Sequence, residues 1–187
     1  MKAFSVVNRD FLILTKTFLQ KLEGNFKFGG LETKLFDPSE QENFYSLVVR
    51  FFVPPKFKQM DLQFNFIDDL FEGGNRFFIL QIYYGISDEV PKEAMPEINE
   101  LCKLINSRVP LGQFGQMEEI SNAYFKHNII LDFTYDENHN VEIVETSTKM
   151  ILNILENFRL TFSQVLEGKQ TAVEALKESK FAYMWFS

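Results

Sequence analysis

Two histidines are the first residues to question, because imidazole is the usual acid and base at neutral pH. His139 stands in the run Asp136-Glu137-Asn138-His139-Asn140, which reads as a solvated turn where nothing fixes a ligand geometry. His127 shares an alternating strand face with Phe125 and Ile129. A hydrogen-bonded core or interface histidine suits that position better than a catalyst. Cys102 is the only cysteine, so neither an intrachain disulfide nor a cysteine zinc site can form. It lies on a helical apolar face and reads as buried and inert, since activation needs a neighbouring base or cation. Asp68, Asp69 and Glu72 crowd one turn but lack the spacing of a calcium loop. Gly168-Lys169-Gln170-Thr171 resembles the end of a phosphate-binding loop only superficially. Ser163 stands where its first glycine belongs, and Gln170 stands where Ser or Thr must follow the lysine. These residues predict no catalytic group, no cofactor and no metal. A small enzyme using His127 remains an alternative.

The elements that would position these residues follow from periodicity. Residues 9–22 carry Phe11, Leu14, Phe18 and Leu22 at helical spacing, with Gly24 as the expected stop. Phe26 to Phe36, broken by Gly29-Gly30, reads as a small hairpin or an irregular extended piece. Phe44 to Val53 is a dense apolar run ended by Pro54-Pro55, which suits a strand buried on both faces or at an interface. Met60, Leu62, Phe64 and Phe66 alternate with polar residues in a second strand, and Arg76 to Tyr84 forms a third. A helix from Pro91 to Arg108 follows. Extended chain returns around Phe114, and Ala123 to Phe133 reads as a long strand. The longest helix spans Val141 to Glu167, and Thr171 with Glu174 opens a last short one through a capping box. The predicted class is α+β. It has an antiparallel sheet of about five strands, helices packed on one face, and the order α-β-β-β-α-β-β-α. No linker interrupts the pattern, so residues 1–187 are expected to form one domain with a C-terminal aromatic tail.

Composition narrows the function classes. The 187 residues carry 19 Lys and Arg against 26 Asp and Glu, a net charge of -7. That balance argues against nucleic-acid binding, which needs a basic face. No stretch approaches the length of a membrane span, and the apolar run near the start is too short for a signal peptide. A cytoplasmic protein is expected. Phenylalanine is in excess at 22 residues. Either a Phe-rich core or an exposed binding surface accounts for it.

One short stretch carries a resemblance. Asn106, then Leu111-Gly112-Gln113-Phe114-Gly115, then Tyr124-Phe125-Lys126-His127 resembles the segment after the central helix in the bacterial YbjN family. The element order over residues 9–167 is similar too. Those proteins resemble the type III secretion chaperones in fold. The resemblance implies a non-enzymatic, usually dimeric module that binds a protein or peptide in a chaperone-like or regulatory role. It supplies no catalytic residue. A self-associating structural homodimer is the alternative within that reading. The residues expected to meet a partner are Phe44, Leu47, Val49 and Phe51 of the dense strand, with Phe181, Tyr183 and Trp185 of the tail.

Overall fold

The computed structural model describes residues 9–39, 42–53, 58–67 and 77–180. In chain order the elements are helix α1 (Arg9–Phe28), strands β1 (Glu32–Phe36), β2 (Ser46–Val53), β3 (Lys58–Ile67) and β4 (Phe77–Ser87), and helix α2 (Met95–Asn106). Strand β5 (Gln113–Met117), a single 3-10 turn, strand β6 (Asn122–Asp132) and helices α3 (Glu137–Leu166) and α4 (Ala172–Lys177) complete them. The class is α+β, and the strands form one sheet in the order β1-β2-β3-β4-β6-β5.

The sheet has six strands rather than five. The extra one is β1, which pairs antiparallel with β2 from Glu32 opposite Arg50 to Phe36 opposite Ser46. Its segment looked irregular because the two glycines before it belong to the end of α1. That helix runs past Gly24 to Phe28. Gly30, at φ 80°, closes it, and the Leu31 and Gly30 N–H groups donate to the Phe26 and Lys27 carbonyls. This is a Schellman ending, which glycine favours because it adopts positive φ without a Cβ clash. A mid-helix glycine costs about 1 kcal/mol against alanine. Phe26 offsets that cost by packing its ring on Phe51 and Phe64, at 5.9 and 5.6 Å between centroids.

The described chain clusters into two compact units. Unit 1 takes the described residues within 9–83 and 128–145, and unit 2 those within 84–127 and 146–180. In unit 1, α1 lies against β1 and β2. Phe11, Phe18 and Phe26 of α1 meet Phe78, Phe66 and Phe64 of the strands, and Phe133 stacks among Phe18, Phe66 and Phe78. In unit 2, Phe114 of β5 packs on Phe125 of β6 and on Phe158 and Phe162 of α3. Each large side chain withdrawn from water stabilises by about 1.5–3 kcal/mol. Most of the described phenylalanines are therefore core. The capping box on α4 forms as expected: the Thr171 hydroxyl accepts from the Glu174 N–H, and the Glu174 carboxylate accepts from the Thr171 N–H.

Candidate binding face

The stretch that carries the family resemblance is built for structure. The Asn106 side chain, at the end of α2, behaves as one more strand residue toward β5. Its Nδ2 donates to the Phe114 carbonyl and its Oδ1 accepts the Phe114 N–H, both at 2.8 Å. Gly112 sits at φ 72°, and a Cβ there would lie 2.1 Å from Cζ of the fully buried Phe125. A Cβ on Gly115 would lie 2.6 Å from the Tyr124 ring. Both glycines make room for aromatic rings of β6, so the motif specifies a packed β5–β6 corner.

The groups that could do chemistry stand on separate elements, His127 on β6, His139 on α3 and Cys102 on α2. The His127 imidazole is half-buried and is held below its ordinary pKa by burial. His139 lies in the first turn of α3, exposed, with its ring 6.1 Å from Tyr135. The run read as a solvated turn is thus largely helical, because the Asp136 side chain accepts the Asn138 N–H and starts α3 there. Cys102 is buried, and desolvation pushes its thiol up to about 12. Asp68, Asp69 and Glu72 lie outside the described residues. Among the described residues, no group of three His, Cys, Asp or Glu side chains is placed to hold a metal ion.

Unit 2 contains an open cleft of about 600 Å³ between the approach to α2 and the α3–α4 turn. Four glutamates line it, and three of them serve the fold. Glu97 accepts the Ala172 N–H at 2.8 Å, Glu174 holds the Thr171 cap, and Glu167 pairs with Lys169.

Unit 1 presents a different surface. Successive residues of a strand point to opposite faces. Leu47, Val49 and Phe51 of β2 are buried, with Phe51 against Phe26 of α1. Their neighbours Val48, Arg50 and Phe52 therefore turn away from α1. By the same alternation Phe36, Gln63, Phe77, Gln81 and Ile130 share that outer face. Phe36, Phe52, Phe77 and Ile130 are between 41% and 62% exposed. Several polar groups between them are paired within the face, while the buried Asn65 Oδ1 has no hydrogen-bond partner among the described residues. Arg50 donates to both Asp61 oxygens, at 3.0 and 3.1 Å, and to Glu32 at 3.0 Å. The guanidinium holds the Asp61 carboxyl below its usual range. Lys34 rests its ammonium 4.4 Å from the centre of the Phe36 ring. Gln63 donates to the Ser46 hydroxyl and Gln81 to the Asn128 carbonyl oxygen.

Three of the residues expected to meet a partner are off this face. Leu47, Val49 and Phe51 are core side chains packed inside unit 1, a correction to their reading as a contact surface. Phe44 precedes β2 and is half-buried. Phe181, Tyr183 and Trp185 lie outside the described residues. The exposed set was detectable only through strand phase. Phe52 and Phe77 occupy the positions next to Phe51 and Phe78, and once those point inward their neighbours must point out.

No protein-family model matches the chain, and no curated protein matches it in sequence. Among the described residues, no helix is long and apolar enough to cross a membrane.

Proposed function

We propose that this chain is a non-enzymatic, cytoplasmic protein-binding module of chaperone-like or regulatory type. Its fold is of the type III secretion chaperone kind, and it works without cofactor or metal. The observation that carries the reading is the outer face of the unit 1 sheet, where Phe36, Phe52, Phe77 and Ile130 stand in water on one side. Phe36, Phe77 and Ile130 gather toward one end of the face and Phe52 stands at the other, and apolar side chains exposed along one sheet face mark an interaction site. Face docking is favoured over strand addition. The free edge of the sheet in unit 1 is β1, only 5 residues long and carrying Glu32 and Lys34. A short charged edge resists pairing with a further strand. The state of His127 and Cys102 supports the non-enzymatic half of the reading, since burial lowers the basicity of His127 and keeps Cys102 a neutral thiol.

The test is affinity capture from the native host with the full chain as bait. A Phe52→Ser/Ile130→Ser double variant should lose a captured protein that an Ile13→Ser variant, altered on exposed α1, retains. Equal capture by both variants counts against the face. A turnover activity lost on His127→Gln would replace the reading with an enzymatic one.

A further inference from the structure

Strand β5 stands at the end of the sheet, with β6 as its one strand neighbour. Along an antiparallel pair, residues that exchange main-chain bonds alternate with residues whose groups point away from the neighbouring strand. The Phe114 N–H donates to Asn106 Oδ1, so the pair Phe114 and Phe125 is of the second kind. Phe114 therefore turns its N–H and C=O toward the free edge, and Gln116, two residues on, does the same. A further chain would bond to these groups. We propose that β5 is a strand-addition edge held closed by Asn106, and that the partner it is closed against is an extended, uncharged segment of another chain.

Edge strands invite such pairing unless something blunts them. At the other edge, β1 does so with Glu32 and Lys34 among its 5 residues. Strand β5 has the same length and reads Gln113-Phe114-Gly115-Gln116-Met117, with no charge and no proline. It offers an arriving segment no ion pair, which is why an uncharged one suits it. Its protection comes from α2, which lies against it. Asn106 ends that helix, and its carboxamide presents a donor and an acceptor as a peptide group does. Both bonds to Phe114 are 2.8 Å. A residue of the same chain thus makes the two bonds that an added strand would make there. Asn106 covers one of the two outward residues, and the single residue beyond it holds no strand. The outer face of unit 1 plays no part in this, so either proposal can fail alone.

The experiment compares the full-length wild type with Asn106→Ala over a micromolar concentration series, by sedimentation velocity and amide hydrogen exchange. In the wild type the Phe114 amide should exchange at least about tenfold more slowly than the Gln116 amide at every concentration. Asn106→Ala, shown to be folded by far-UV dichroism, should lose that difference when dilute. On concentration it should form species larger than the wild type, with both amides gaining protection. Gln116→Pro removes the outward N–H of the neighbouring residue, a place where proline is tolerated because that group bonds nothing in β6. The double variant Asn106→Ala/Gln116→Pro should therefore return to wild-type size. If Asn106→Ala does not fold, Asn106→Ser takes its place with the same outcomes, because its hydroxyl is too short to reach both groups. A folded variant that keeps the wild-type size at every concentration overturns the proposal. So does association that survives Gln116→Pro, which would put the contact on another surface. A wild-type Phe114 amide that exchanges as fast as Gln116 overturns it too, since the edge would then stand open.

Discussion

Asn106 and Gly112 show how much a single residue can specify. Asn106 satisfies both main-chain groups of Phe114, which leaves neither exposed to an apolar surround. Replacing it with leucine keeps the volume and removes both partners. Each stranded group costs about 1–3 kcal/mol, so Asn106→Leu should destabilise by about 2–4 kcal/mol in chemical denaturation. A cost below about 0.5 kcal/mol would mean that water substitutes for the amide. Gly112→Ala meets two obstacles, a positive φ and the packed Phe125 ring, and should cost about 2–3 kcal/mol. His127 makes a prediction in pH. Burial lowers its pKa in the folded chain, so the unfolded chain binds the proton more readily. Stability is then fully present above about pH 6.5 and is lost as pH falls from there toward the lower folded pKa. Melting between about pH 7.5 and 5.5 should fall less in His127→Gln than in the wild type. An identical slope in both would place the imidazole in water.

At the scale of elements, Gly24 offers a gain. It lies mid-helix in α1, exposed, and a Cβ there meets nothing within 4 Å. Gly24→Ala should therefore raise stability by about 0.5–1 kcal/mol, read as an upward shift in melting temperature. A neutral or destabilising result would mean that α1 breaks at Gly24. That residue also explains where the sequence was legible and where it was not. Helical spacing of Phe11, Phe18 and Leu22 located the start of α1, and alternation of Met60, Leu62, Phe64 and Phe66 located β3. Both are local signals with one buried face. The end of α1 was set instead by Phe26 finding Phe51 and Phe64, a contact between residues far apart in the chain. Strand β1 depended on β2 in the same way. The binding face was illegible for a related reason. In β2, apolar residues occupy both phases, so periodicity could not separate Phe51 in the core from Phe52 in water. Only the position of α1 makes that separation.

At the scale of the whole chain, charge gives the face a signature in salt. Two bodies of net -7 repel through solvent, and that repulsion opposes association whatever the contact surface contributes. If the dimer that the resemblance implies forms through the outer face of unit 1, that contact adds little attraction between opposite charges, because Arg50 already directs three of its five donors to Glu32 and Asp61 within one copy. Its drive is apolar burial, which moderate salt does not weaken. The Debye length shrinks from about 30 Å at 0.01 M to about 8 Å at 0.15 M, so the long-range repulsion is removed over that range while the contact persists. Self-association should strengthen as ionic strength rises, measured as a falling dimer dissociation constant in sedimentation equilibrium. Docking of a basic partner on the acidic surface would show the opposite slope, because salt would screen the attraction that drives it. A dissociation constant that rises with salt would therefore count against the outer face of unit 1 as the contact, even if a dimer forms.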